Sequence, residues 1–363
     1  RQTELPAGVN STFAAIGYAA MGWGGVIATE VCIFITLLGV GISYQIQTAQ
    51  LLSQVPGAPL GSHPDVQLQL LTLCSGLLVL MFVLGVKNLR NLAPVSLCGL
   101  VGILVGLACV WGFGAAEYGA QGPRSVTPAM LVPAGAGDAA KFFGVATFSI
   151  GLPALAFPVE ESMQKRSHFP RAMTVCLVFV WMLYSIMGDG LALLYLPDPE
   201  GVNGNILANL PQSSAAATCV RIAVAAVCVL SYPIAVVPIM NIAEKGLHTL
   251  LTGGGYEVIV GDDDEAEDGT PPWVQLLVRF PTVGFTTAVA AFVPCFGSVI
   301  AVLGAFTVTI LSFVLPPLFH RMIVASTLAA RLQDDLLIVL GVVATLLATV
   351  LTVYDTVTSP KSC

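Results

Sequence analysis

The stretch Phe142-Phe-Gly-Val-Ala-Thr-Phe-Ser149-Ile-Gly151-Leu-Pro153-Ala-Leu-Ala-Phe-Pro-Val-Glu160-Glu161-Ser-Met163 decides how the rest of the chain is read. It is apolar enough to lie in a bilayer, yet Ser149, Gly151 and Pro153 interrupt its middle. Proline removes a backbone donor and clashes with the carbonyl one turn earlier, and a neighbouring glycine lets the chain leave helical geometry. Backbone groups freed in hydrocarbon persist only where they are buried in protein or line a wet cavity. The stretch is therefore either a discontinuous helix at a ligand site near the bilayer midplane or a proline kink repaired by its neighbours.

Working outward, the 363 residues are 56% hydrophobic and only 10% charged, with a mean hydropathy of +0.87. A soluble domain carries roughly a quarter charged residues, so the composition predicts an all-α polytopic membrane protein, integral and multi-pass, with the lipid bilayer as its first partner. The net charge of −7 owes much to one run, Asp262-Asp263-Asp264-Glu265 with Glu267 and Asp268. No Lys/Arg cluster of the kind that meets nucleic acid is present. The nine cysteines are scattered without a CxxC and read as small buried hydrophobes. His63, His168, His248 and His320 lack metal-ligand spacing, and no catalytic constellation or cofactor motif is seen. The chain opens on Arg1 without a signal pattern, so it is processed or its start lies upstream.

Apolar runs of about 20 residues predict about nine spans, near Gly22–Gln47, Val66–Val86, Pro94–Gly114, Lys141–Gln164 (the interrupted one), Ala172–Leu196, Ser214–Ala243, Val274–Val293, Ser298–Phe319 and Leu336–Thr356. The acidic linker Gly253–Pro272 is the one long polar insertion. Lys87, Arg90, Lys165, Arg166, Arg171, Lys245, Arg279, Arg321 and Arg331 collect on one side. By the positive-inside rule that side is cytoplasmic or its equivalent, and it holds the N-terminus and the linker. The sequon Asn10-Ser11-Thr12 would then stay unmodified.

Three ionisable residues fall inside predicted spans, where each charge costs at least about 2.5–3.5 kcal/mol at the bilayer centre. Glu30 is a proton carrier or substrate-facing group, or a carboxylate near the interface paired to a neighbouring helix or subunit. Asp189, between Gly188 and Gly190, carries a proton or is a hydrogen-bonded structural acid. Arg221 lies close enough to its helix end to snorkel. Glu160 and Glu161 are expected to pair with Lys165 and Arg166 at the interface.

Several segments together resemble the amino acid/auxin permease family, a branch of the amino acid–polyamine–organocation superfamily. They are Thr12–Gly22, Leu38–Tyr44, Lys87–Ser96, Phe148–Met163, Phe169–Arg171, Asn205–Pro211, Tyr232-Pro233 with Pro238, Phe292–Gly297 and Leu315–Leu318, in order along nearly the whole chain. The resemblance implies a leucine-transporter-like inverted-repeat fold in a single transmembrane domain, 1–363. Residues 22–114 would be what remains of the first repeat (family helices three to five), 141–319 the second and 336–356 a final helix, with 253–272 the linker. It implies a substrate held between broken helices, here by Phe148, Ser149, Ile150, Gly151 and Pro153. Thr29, Thr36, Ser231 and Tyr232 would stand on the flanking helices, and Glu30 and Asp189 would couple protons.

This sequence departs from the family in two ways. It begins just before the family's third helix, and it has no acidic residue near Gly151-Leu152, where Pro153 is added. Two readings follow. One is an amino acid transporter, probably the wrong word for neither but the first in order: proton-coupled, with its first helices supplied elsewhere. The other is a transport-inactive relative serving as a structural subunit of a larger membrane complex, with other subunits or lipid covering the face beside the interrupted helix.

Overall fold

The computed structural model describes residues 11–57, 64–85, 93–121, 132–133, 135–151, 156, 160, 163, 165–195, 205–252, 271–293 and 295–358. Pro153, Glu161, Asn10, the Lys87–Arg90 connection and nearly all of the acidic linker lie outside them.

The described chain is helical. Ser11 starts α1 (Thr12–Met21), its Oγ accepting from the Ala14 amide at 3.1 Å, as an N-cap should. Gly22 ends α1 at φ 63°, ψ −145°, backbone that essentially only glycine adopts, and turns the chain into α2 (Trp23–Ser53). Then follow α3 (Pro64–Gly85), α4 (Ala93–Gln121), α5 (Ala136–Ile150) and α6 (Phe169–Tyr195). A single 3-10 turn, Ile206–Asn209, precedes α7 (Ala215–Thr252). Last come α8 (Pro272–Phe292), α9 (Phe296–Ile323) and α10 (Leu328–Thr358).

Among the described residues seven helices are long and apolar enough to cross a membrane: α2, α3, α6, α7, α8, α9 and α10. Of the nine expected spans, the other two are α4, with a shorter apolar stretch at Val101–Ala116, and α5, which stops after 15 residues. Helix ends run past the expected bounds where charges are neutralised in place. α7 continues through Glu244, which pairs with Arg279, and α10 starts eight residues before Leu336, through Asp334, which meets His320. Apolar runs stop at charges; helices need not.

The helices pack as two groups. In one, α2, α3, α7 and α8 each touch the other three, with Val79, Val83, Tyr232, Val236, Val237, Met240 and Val283 in the shared core. Beyond it, α4 lies on α7 and α6 on α4. In the other, α5, α9 and α10 contact one another around Ala140, Ala305 and Ala348. Small residues let these backbones approach, since in lipid packing rather than hydrophobicity drives association. At the crossing of α5 and α9, Gly144 and Gly304 stand back to back, and a Cβ on either would run into the other's backbone. The two groups meet along α2 and α9, bridged at one end by α1.

α9 is not a uniform α-helix. Gly304–Val308 and Ile310–Val314 are π-helical. Pro316 and Pro317 explain the widening: neither has an N–H for the carbonyls of Ser312 and Phe313, and each ring would clash with them in an α-helix. Hydroxyls take up part of the slack, with Thr309 Oγ1 donating to Gly304 O at 2.7 Å and Thr307 Oγ1 to Leu303 O at 3.1 Å.

Two expectations fail. Arg221 does not snorkel; it is wholly buried on the second turn of α7. Cys295, at the start of α9, is disulfide-bonded, whereas Cys32, Cys74, Cys109, Cys176, Cys219 and Cys228 are free.

Candidate site where the interrupted helix meets the π-helical segment

α5 leaves helical geometry at Gly151, which sits at φ −65°, ψ 76° with its N–H on Phe148 O at 3.2 Å. The last carbonyls of a helix lack intrahelical donors. One of them, Ser149 O, accepts from the Tyr184 hydroxyl of α6 at 3.1 Å, while Ser149 Oγ turns back to Ala146 O at 2.8 Å. The interruption expected near Ser149–Pro153 is thus present at its first half, and residues 152–155 lie outside the described set.

The broken end is seated on the π-helical part of α9. Gly151 faces Val308, and Phe148 Cβ lies against Gly304. From the other side, Thr36 of α2 reaches the same segment, its hydroxyl 2.8 Å from Thr307 Oγ1 and 2.7 Å from its own Cys32 O. Three non-uniform pieces of backbone or polar side chain therefore converge: a helix terminus, a π segment and a hydroxyl pair. π segments and helix termini offer backbone groups that a straight helix consumes internally.

Tyr232 belongs to a second, deeper polar cluster. Its hydroxyl is 2.8 Å from Thr286 Oγ1 of α8, which also accepts from Gln45 Nε2 of α2 at 3.2 Å and donates to Val283 O at 3.0 Å. All three side chains are buried, and Gln45 Oε1 has no partner. The aromatic ring of Tyr232 packs on Gly41 of α2, one turn before Gln45.

The remaining candidates are spread out. Glu30 is half-buried and accepts from Ser11 Oγ at 3.1 Å, which ties α2 to the cap of α1. Thr29 beside it is fully buried with its hydroxyl unpartnered. Ser231 is half-buried, while Ser149 and Ile150 are exposed. Asp189 is exposed on α6, and no ion pair or hydrogen bond joins it to a described residue. Pro153 lies outside the described residues.

Sequence reading missed Thr307, Thr286 and Gln45. A threonine in an apolar helix usually bonds the carbonyl a turn back, so nothing in the sequence marks these two. It also placed Arg279 among the charges of one membrane face. In the fold Arg279 is buried, with Nε 2.8 Å from Glu244 Oε1 and Nη1 donating to Val83 O at 2.8 Å.

A family model described as transmembrane amino acid transporter protein matches residues 4–358. Vacuolar amino acid transporter 3 of Saccharomyces cerevisiae is 26% identical over 262 residues, 71% of this chain and 35% of that protein. Amino acid transporter AVT3C of Arabidopsis thaliana is 24% identical over 270 residues, 71% of this chain and 53% of that protein. Amino acid transporter ANT1 of the same plant is 24% identical over 326 residues, 88% of this chain and 71% of its own length. The chain thus spans between a third and about half of the first two relatives. With the match running from residue 4 to residue 358, the chain belongs to the transmembrane amino acid transporter family.

Proposed function

We propose that this chain forms the core of an amino acid transporter and holds its substrate where the end of α5 meets the π segment of α9 and Thr36 of α2. The observation that carries the reading is the packing of the Gly151 break against Gly304–Val308. A zwitterion needs donors and acceptors inside an otherwise apolar setting, and a helix end, a widened helix and the Thr36–Thr307 pair supply both. The mutual packing of α2, α3, α7 and α8 against a separate α5, α9 and α10 group supports the leucine-transporter-like arrangement, in which one group moves against the other.

Proton coupling is part of the proposal, with Glu30 as the carrier rather than Asp189. Glu30 is half-buried at the α1–α2 contact beside the unpartnered Thr29 hydroxyl, whereas Asp189 stands on the exposed face of α6.

The test is uptake of radiolabelled amino acids into liposomes carrying the chain under an imposed pH gradient. Thr36→Val and Thr307→Val are expected to raise KM about tenfold each, the loss of one buried hydrogen bond. Glu30→Gln is expected to abolish the dependence on the gradient. Unchanged KM in both threonine variants would remove the site, and an unchanged pH response in Glu30→Gln would remove the carrier.

A second reading, a structural subunit without transport, is favoured by one observation: only 6% of the best membrane window of α6 is buried. Co-purification of the chain in a stable complex, with no uptake in liposomes, would select it.

A further inference from the structure

Arg221 is the one fully buried arginine whose charge meets no described carboxylate. Its guanidinium is held by the turn before α7: Nη2 donates to Leu210 O at 2.5 Å and to Leu207 O at 3.4 Å. That turn is fixed in place. Asn205 Oδ1 accepts from the Leu207 amide, and Asn205 Nδ2 donates to Gln47 Oε1 of α2 at 3.1 Å. The surroundings are apolar, built from Leu51, Val110, Tyr195, Leu207, Leu210 and Ala217. Nε and Nη1 are buried and have no partner at all. Buried charges in proteins are paired, because an isolated one forfeits its hydration with nothing in return. Two carbonyls satisfy one nitrogen and leave the charge uncompensated.

We propose that Arg221 is an anion-binding residue whose Nε and Nη1 receive one small monovalent anion. The shared chemistry is a carboxylate or halide, from two sources: the α-carboxylate of an amino acid in transit, or chloride. The position goes beyond the transport site above, since Arg221 precedes Tyr232 by eleven residues, about 16 Å along α7. The chloride source does not depend on transport.

The experiment uses the whole chain in lipid nanodiscs. Its Tm is followed while chloride replaces gluconate at constant ionic strength. A second series adds alanine, leucine and lysine, or the amines that lack their carboxylates. A saturable rise of at least ~3 °C is expected. A response to chloride assigns the halide; a response to the amino acids but not the amines assigns the carboxylate. Arg221→Gln should abolish the rise, and Arg221→Lys, which keeps the charge without the fork, should shift its midpoint at least tenfold higher. Three results overturn the proposal. One is no response to either anion. Another is the same response in Arg221→Gln or Arg221→Lys as in the unaltered chain. The third is an Asp198→Asn, Glu200→Gln chain that loses as much Tm in gluconate as Arg221→Gln does, which would make the counter-ion a loop carboxylate of this chain.

Discussion

Arg279 joins three helices through one side chain. It neutralises Glu244 of α7 and caps a carbonyl in the last turn of α3, all within a buried setting. Removing one member of such a pair strands the other, so Arg279→Leu is expected to cost about 3–5 kcal/mol. Glu244→Leu should cost a similar amount. The double Leu variant should recover most of the loss, because two apolar side chains of similar volume leave no charge behind. Unfolding midpoints in mixed micelles measure all three, and a double variant no more stable than either single one would contradict the account. A contrast lies at the far end of α9. Arg321 and Asp335 are each more than two-fifths exposed, and their pair at 2.5 Å should be worth under about 1 kcal/mol. Asp334 next to it is buried against His320, so Asp334→Leu should cost more than Asp335→Leu in the same assay.

At the level of the element, two glycines set geometry that no other residue can supply. Gly22→Ala should destabilise the chain by about 1–3 kcal/mol, since the turn from α1 to α2 needs positive φ. Gly144→Leu should do more harm than a buried small-to-large change usually does, about 1–3 kcal/mol, because the obstacle is the backbone of α9 rather than a movable side chain. Helices were legible from apolar runs, and the break in α5 from Ser149, Gly151 and Pro153. The prolines at 316 and 317 were visible too, but their effect was not: they act on carbonyls four residues earlier and widen a helix that composition describes as ordinary. Helix α1 was equally hidden, since its ten residues are too short to be counted as a span.

For the whole molecule, the seam between the two helix groups carries the proposed site, and the seam is the part that sequence could not show. Thr36 and Thr307 lie 271 residues apart, and a hydroxyl in an apolar helix gives no sign of which distant hydroxyl it will meet. The same holds for Gln45 and Thr286, which are 241 residues apart. Helix α10 is fastened at both ends, by Lys141–Asp355 near the start of α5 and by the Asp334 and Asp335 pairs with the end of α9. Asp355→Asn, which loosens one end only, should lower the unfolding midpoint by a few degrees at most and leave the other pairs intact. The π-helical stretches have a consequence for sequence register. Each accommodates about one residue beyond the α-helical count, and each residue turns a helix by about 100°. Deleting a single position between 304 and 314 would rotate everything after it by that angle. Phe319 would swing away from the Phe13 ring it meets edge-on at 5.7 Å, and His320 away from Asp334. Insertions and deletions, tolerated in loops, would here turn the end of α9 like a key in its lock.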